Sequence, residues 1–356
     1  MRKLIALLAG AVVLAVGVFL LWTGGGSGGI TLYSGLDYGP AVARAFTART
    51  GIPVQVIRLP TGGLLARITA EGHHPAWTVA WFDGATAAVA LDRGGLLAHG
   101  LPAPATLVPA ATLVPAATLV PAATIPGTAA LRGADAAYVP TGFTLAGVFV
   151  MRRDAPFPAP ADWADLLDPR YRGRIGMNDP AISGPTYPTL AGMLRGAGGW
   201  PAGQGYVTAL RRNGLHVFAK NDATLAALRA GAIGIAVVQS SAAIAAATAD
   251  PRLRVVFPRP AYVLPNVIVA AHGLTGAARA AAIRFIAFVN TVSAQRLRMA
   301  KGGSDGLYWP VTRAPAPPAA LPPLAGLDLA WLDPVRWGAR ENAILAWFAH
   351  PQAAAK

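Results

Sequence analysis

Short apolar segments that alternate with amphipathic ones constrain this chain to a small set of folds. From Ile30 the sequence runs ITLYSG, GPAVARAFTARTG, PVQVIRL and PTGGLLARITAEG, so that each apolar stretch is followed by a helix-forming one. The alternation resumes near Tyr138 and continues to about residue 301. Such a series predicts an α/β architecture in which helices cover both faces of a parallel sheet. Ligands of such sheets bind outside the carboxyl ends of the strands.

The predicted strand ends carry hydroxyl, carboxyl, amide and glycine residues that could bind one ligand. Several of them precede a helix, whose first turn offers unpaired amides and a partial positive charge to an anion. The alternative for Thr61, Ser183 and Thr186 is that they only cap helices. The candidate ligand-binding residues are Ser34, Gly35, Asp37, Thr61, Gly62, Gly63, Asp83, Ser183, Gly184, Thr186, Gln239, Ser240 and Ser241.

The N-terminus carries an export signature. Arg2 and Lys3 precede the apolar run LIALLAGAVVLAVGVFLLW, which is typical of a secretory signal. The 19 residues of that run would also span a bilayer of about 30 Å as a helix. TGGGSGG then forms a flexible tether by composition. Residues 1–29 are therefore predicted to be a signal peptide or an uncleaved membrane anchor with a Gly-rich tether, and both place the remaining chain in the periplasm or another extracytoplasmic space.

Composition excludes several classes of protein. The chain has no cysteine, so disulfides, thiolate metal sites and cysteine nucleophiles are excluded. Its formal net charge of +14 comes from scattered arginines, which make a basic surface that can attract anionic solutes. Because no dense basic patch with interleaved aromatic residues occurs, nucleic acid is not expected as a partner. The six histidines are dispersed without helical metal spacing, and neither a metal nor a cofactor is expected.

Catalysis has little support in the sequence. Ser183 lies in AISGP, which differs from the G-x-S-x-G turn of serine hydrolases. Asp37 and Asp83 could form a carboxylate pair, but no nucleophile or orienting base accompanies them. We therefore expect a binding protein rather than an enzyme, with a membrane-anchored hydrolase as the alternative.

A threefold TLVPAA repeat interrupts the alternation at residues 106–124. Proline at every sixth position prevents a continuous helix, and three units are too few for a solenoid. The repeat is predicted to be an expanded surface loop without a role in ligand binding.

Four segments in order resemble one family. They are LYSG, FTARTGIPVQVIRLPTGGLLARITAEGHHP, ADWADLLDPRYRGRIGMNDPAISGPTY and AAIRFIAFVNTVSAQRLRMAKGG, the last followed by YWPVT. Together they are similar to extracellular solute-binding proteins of ABC importers, in the branch of ferric-iron, phosphonate and phosphoglycerate-type binders. The resemblance extends from Ile30 to about Thr312. It implies a type II-like periplasmic-binding-protein fold, in which a hinge joins two α/β lobes that enclose the ligand, and a monomer that delivers it to an inner-membrane permease.

The resemblance also implies where the lobes divide. Lobe 1 would comprise residues 30–138 and 258–312, and lobe 2 residues 139–257 and 313–356. The chain would cross between them near residues 136–144 and 252–260, and its C-terminal helix would return to lobe 2.

The same resemblance bears on the ligand. Ferric-iron members carry a histidine after the first strand, an acid after the third and two adjacent tyrosines in the second lobe, where this chain has Asp37, Asp83 and the pair Ser241–Ala242. Serine is a poor replacement for the phenolate oxygens that Fe(III) prefers. The expected solute is therefore a small anion, a phosphonate or phosphate ester, whose amino group, if present, could meet Asp37 or Asp83. Ferric iron bound by Asp37 and Asp83 is the alternative.

Overall fold

Two β-sheets flanked by helices make up the computed structural model, which describes residues 28–102, 136–312 and 314–350. The predicted export segment and the TLVPAA repeat lie outside those residues, apart from Gly28 and Gly29 of the tether. The first sheet has six strands and the second has five. The expected α/β class with two lobes is confirmed.

The first sheet is mixed rather than parallel. Its order is β11-β10-β3-β1-β2, and β4 also pairs with β10. Strand β1 is parallel to β2 and β3, whereas β10 is antiparallel to β3 and β4. The strands are β1 (Ile30–Ser34), β2 (Val54–Arg58), β3 (Val79–Asp83), β4 (Val139–Leu145), β10 (Ala261–Ala270) and β11 (Leu329–Ala330).

The second sheet is also mixed, with the order β7-β6-β8-β5-β9. Strand β6 is parallel to β7 and β8, and β5 is antiparallel to β8 and β9. Predicted all-parallel sheets are therefore wrong in both lobes, because the strand that enters each sheet from the other lobe runs against its neighbours. The strands are β5 (Val148–Arg152), β6 (Ile175–Asn178), β7 (His216–Phe218), β8 (Ile235–Val238) and β9 (Leu253–Val256).

Helices cover both faces of each sheet. On β5, Phe149 faces one buried cluster while Val148 and Val150 face another, as the two-residue period of a strand requires. The first lobe consists of the first sheet with α1 (Gly39–Thr50), α2 (Thr61–Glu71), α3 (Ala85–Arg93), α8 (Gly276–Val289) and α9 (Val292–Lys301). The second lobe consists of the second sheet with α4 (Thr186–Gly196), α5 (Gln204–Arg212), α6 (Asn221–Arg229) and α7 (Ser240–Ala249).

Three predicted elements differ from the structure. The strand predicted for FTLAGVFVMRR is two strands, because the chain leaves the first sheet after Leu145 and enters the second at Val148. The helix predicted for PADWADLLD is a single 3-10 turn, Ala164–Leu167, and a second 3-10 turn, Pro169–Tyr171, follows it. The long C-terminal helical region is broken into α8 and α9 at Asn290–Thr291, where the Thr291 side chain caps α9.

The chain passes between the sheets twice, after β4 and after β9. The first sheet includes β4, although the division predicted at residues 138 and 139 would give that strand to the second lobe. Two C-terminal helices, α10 (Pro334–Gly338) and α11 (Glu341–Ala349), contact α3 of the first lobe and pack in the core of the second. The exact lobe boundaries stay a prediction.

Over the described part of the chain, no single helix is both long and apolar enough to cross a membrane; α8 and α9 meet those criteria only as a pair, bent by 71°.

A fully buried arginine on α9 contacts two strands of the first sheet. The Arg298 guanidinium lies 4.6, 4.9 and 4.1 Å from the ring centroids of Tyr38, Trp81 and Tyr308. Its Nη1 donates to the Thr141 carbonyl at 2.6 Å, and its Nη2 donates to the Tyr38 hydroxyl at 3.1 Å. Arg298 thus holds α9 against β3 and β4.

We predict that Arg298→Lys lowers the free energy of unfolding by roughly 1.5–3 kcal/mol, the value of a hydrogen bond to a charged group. An ammonium group cannot stack on three rings as a planar guanidinium does. Arg296→Lys, on the exposed side of the same helix, is the control and should change stability little. Urea unfolding of both variants measures the difference, and equal midpoints would contradict the role given to Arg298.

Candidate functional site

A buried carboxyl at the end of β3 lies at the base of the cleft between the lobes. Asp83 is 5% exposed and accepts a hydrogen bond from Asn266 on β10, its register partner across the sheet. Gln239, the residue before α7 in the second lobe, lies near Asp83. The Gln239 Nε2 donates at 2.8 Å to the Thr144 hydroxyl on β4. That hydrogen bond joins the second lobe to the first sheet at the level of Asp83.

Burial sets the protonation of this acidic region. Desolvation raises the pKa of Asp83 to about 7, helped by the nearby Asp305 and opposed by Asn266 and Gln239. Desolvation also raises the pKa of Asp305 to about 6, while the Asp37 backbone N–H, which donates to its Oδ2 at 2.7 Å, lowers it. Below those values both carboxyls carry protons and the base of the cleft is nearly neutral.

The N-termini of α2 and α4 meet across the cleft. A side chain on Gly62 would overlap the Ala181 carbonyl oxygen and lie 2.9 Å from that of Ile182. A side chain on Gly184 would lie 2.5 Å from the Thr61 Cβ. Both glycines thus permit the close approach of one helix start from each lobe.

These helix starts present backbone amides. The first intrahelical bond of α2 runs from Leu64 N to Pro60 O at 2.9 Å, so the preceding amides of Thr61, Gly62 and Gly63 have no partner within the helix. Pro185 occupies the capping position of α4, and Thr186 is the first residue of the helix, with its amide bonded to the Ser183 carbonyl at 2.9 Å. Thr186 therefore does not occupy the capping position.

A cavity of about 670 Å³ opens beside the two helix starts. Thr61, Gly62, Asp83 and Gly184, all candidates from the sequence, line it. The C-terminal helix α11 supplies a further wall through Glu341. Among the residues that the structure describes, no lysine, arginine or histidine lines the cavity, so the polar chemistry of its described lining comes from amides, hydroxyls and carboxyls.

Three other candidate residues have side chains that already form an ion pair or a hydrogen bond within the protein. Asp37 is exposed, pairs with Arg58 and does not line the cavity. The Ser34 hydroxyl is buried and donates to the Leu36 carbonyl at 2.8 Å, closing a turn after β1. Ser183 accepts from Asn178 at 3.2 Å.

The two serines at the start of α7 differ in their hydrogen bonding. Ser240 is fully buried and accepts from Leu145 N at 2.9 Å, which ties α7 to the end of β4. The Ser241 hydroxyl is 1% exposed and makes no hydrogen bond with the described residues. Gly35 packs against Thr61, and Gly63 faces open space. A ligand contact for each of these residues stays a prediction.

Sequence reasoning missed three polar residues of the region. Asn266 interrupts the apolar strand YVLPNVIVA, and that single polar residue was a usable signal. Asp305 lies in the turn GGSDG, whose contact with Asp37 spans 268 positions of sequence. Glu341 looked only like an ordinary acid at a helix start. Among the described residues, no three histidine or acidic side chains form a cluster that could hold a metal ion.

Comparison with known proteins identifies the family of this chain and proteins of similar fold. The sequence model for bacterial extracellular solute-binding proteins matches residues 41–322. The fold is similar to that of iron-bound HitA from Pseudomonas aeruginosa, with a TM-score of 0.71, 20% identity and coverage of 89% of this chain and 98% of HitA. It is also similar to AfuA from Actinobacillus pleuropneumoniae with fructose-6-phosphate bound, with a TM-score of 0.73, 17% identity and coverage of 92% and 99%.

A periplasmic thiamin binding protein matches with a TM-score of 0.68 at 17% identity, covering 89% of this chain and 94% of the other. At these identities the neighbours establish the fold alone. No curated protein sequence matches the chain.

We predict that the ligand-free protein loses stability as pH rises from about 4 to about 7. Asp83, Asp305 and Glu341 have folded-state pKa values raised to about 7, 6 and 7, above the ~3.9–4.3 of unfolded chains. The folded state then binds more protons than the unfolded state, and that stabilisation disappears as pH passes the folded values.

Melting temperatures measured between about pH 5 and 8 should therefore fall for the wild type and fall less for Asp83→Asn. Asp222→Asn, whose side chain is 88% exposed, is the control and should keep the wild-type slope. A melting temperature that is flat or rises across this range in the wild type would contradict the assignment.

Proposed function

Because the chain belongs to the family of bacterial extracellular solute-binding proteins, we propose that its cleft captures a small organic solute by a phosphonate or phosphate-ester group. The family is one of transport proteins rather than of enzymes. The protein serves an ABC importer outside the cytoplasm, and its partners are the solute and the membrane permease. We propose in addition that it acts as a monomer, and that residues 1–29 export it or tether it to the membrane.

The observation that carries the proposal is the meeting of the α2 and α4 N-termini at the cavity. Two helix starts direct partial positive charge at one volume, and α2 adds three amides that have no partner within the helix. Each dipole contributes only about 0.3–1 kcal/mol at an exposed site and up to ~2 kcal/mol when partly buried. Two together, with the Thr61 hydroxyl beside them, suit a group that presents several acceptor oxygens.

Asp83 is compatible with an anion in this position. A charged carboxylate would repel a phosphonate, but burial raises the Asp83 pKa to about 7. Below that value the carboxyl is neutral and can donate its proton to a phosphonate or phosphate oxygen. The overall charge of +14 adds long-range attraction for an anionic solute.

A protein of the same fold offers independent support. AfuA holds fructose-6-phosphate, a phosphate ester. HitA holds iron, so binding of ferric iron is retained as the alternative function. That alternative has less support in this chain, since Asp37 is engaged with Arg58 and the described residues form no metal-ligand cluster with Asp83.

We predict that a phosphonate or phosphate ester raises the melting temperature and is recovered unchanged. At a hundredfold excess over the dissociation constant, a ligand stabilises the folded state by about 2.7 kcal/mol. A thermal-shift screen of phosphonates, phosphate esters, polyamines and Fe(III)-citrate tests the proposal, with mass spectrometry of each recovered ligand. A shift with Fe(III)-citrate alone would favour the metal, and turnover of a phosphate ester would favour the hydrolase.

A matched pair of glycine variants tests the apposition of the two helix starts. We predict that Gly62→Ala weakens binding at least tenfold, about 1.4 kcal/mol, because its methyl group would overlap the Ala181 carbonyl and separate the lobes. Gly205→Ala makes the same change at the second residue of α5, where nothing lies within 4 Å. Calorimetric titration with the best compound from the screen compares them, and equal affinities would refute the proposed geometry.

A further inference from the structure

We propose that Glu341 binds a protonated amino group of the solute, which therefore combines an amine and an apolar body with its phosphonate or phosphate-ester group. This inference deepens the proposed function and rests on it, because it places the other end of the same solute in the same cavity.

The C-terminal helices bring Glu341 to the cavity. Gly338 at the end of α10 packs so closely on α3 that a side chain there would lie 2.5 Å from the Thr86 carbonyl. The Tyr187 hydroxyl on α4 donates to the Trp337 carbonyl at 2.7 Å. Held by both lobes, α11 begins at Glu341 and lines the cavity with Glu341, Asn342 and Leu345.

The Glu341 carboxyl has no cationic partner among the described residues that line the cavity. The residue is 8% exposed, and its Oε2 makes no hydrogen bond with the described residues. Desolvation raises its pKa to about 7, opposed by the Thr86 hydroxyl. A buried charge is costly unless it is paired, so a cation that enters the cavity would ionise this carboxyl and pair with it.

The other acid of the cavity is less available. Asp83 already accepts a hydrogen bond from Asn266 and interacts with Gln239. Within the described ranges, Glu341 retains an oxygen without a partner, and no basic side chain lines the cavity to compete for it. The amine is therefore assigned to Glu341 and the anionic group to the α2 and α4 helix starts.

The residues that line the cavity also indicate the chemistry of the central part of the solute. Leucines and alanines of α2 and α3, with Leu345 of α11, form most of the wall between the polar ends. The cavity volume of about 670 Å³ falls within the range of pockets that hold drug-sized ligands. A two-carbon aminophosphonate would leave most of that volume unfilled, so the solute has a larger apolar body.

Three probes of equal chain length test the contributions of the two end groups of the solute separately. They are a long-chain ω-aminoalkylphosphonate, the alkylphosphonate without the amine and the alkylamine without the phosphonate. Calorimetric titration of the full chain with each probe should show that the wild type prefers the aminoalkylphosphonate over the alkylphosphonate by about ten- to a hundredfold. Glu341→Gln should lose that preference and still bind the alkylphosphonate. Asp222→Asn, which removes one exposed charge elsewhere, should keep the preference.

Proton release gives a second readout that a structural role for Glu341 would not produce. Titration below the Glu341 pKa of about 7, in buffers of different ionisation enthalpy, should show that the aminoalkylphosphonate releases a proton from the wild type and less from Glu341→Gln. If that variant is too unstable to titrate, the preference and proton release of the wild type decide the question.

Each other result of these titrations refutes one specific part of the two proposals. An amine preference that persists in Glu341→Gln overturns the role of Glu341. Equal binding of the aminoalkylphosphonate and the alkylphosphonate to the wild type overturns the amine and leaves the proposed function intact. Binding of the alkylamine with no gain from the phosphonate refutes the proposed anion site and retains Glu341, and no binding of any probe refutes both.

Discussion

The burial of Arg298 among three aromatic rings is the interaction on which the geometry of the cleft depends. A cation removed from water must regain its hydration energy, and here π-faces and the Thr141 carbonyl supply that energy. The rings belong to the segment before α1, to β3 and to the turn after α9, so one side chain fixes the relative positions of all three. Asp83 follows Trp81 by two residues on β3, and this packing therefore positions the base of the cleft.

Under the proposed function, recognition in this cleft depends on backbone amides more than on charged side chains. The chain is strongly basic, yet the part of it that the structure describes places no basic side chain in the cavity and two acids whose pKa values are raised by burial. Net charge can attract an anion over long distances, whereas the helix starts select its geometry at close range. A buried acid adds a hydrogen-bond donor without adding negative charge at pH values below its raised pKa.

The C-terminal helices make the cleft a site with three walls. Through Trp337 and Gly338 they contact α4 of the second lobe and α3 of the first, so any movement of one lobe against the other must also move α10 or α11. Domain closure around a ligand proceeds through a few hinge residues while packed elements stay rigid. A wall that contacts both lobes couples the occupancy of the cavity to the arrangement of the lobes.

The sequence alone determined the α/β class and the position of most helices and strands, since periodicity and glycine or proline breaks are local properties. It also identified Thr61, Gly62, Asp83 and Gly184, which line one cavity, because strand ends of a sheet meet at the same edge. Only the tertiary structure decided that β5 and β10 run antiparallel to their neighbours. It also decided that Ser34 and Ser240 use their hydroxyls within the fold. Finally, it decided that Asp305 and Glu341 lie beside the cleft. These features depend on contacts between residues far apart in the chain, and no local pattern of residue types encodes which distant partner a side chain will meet.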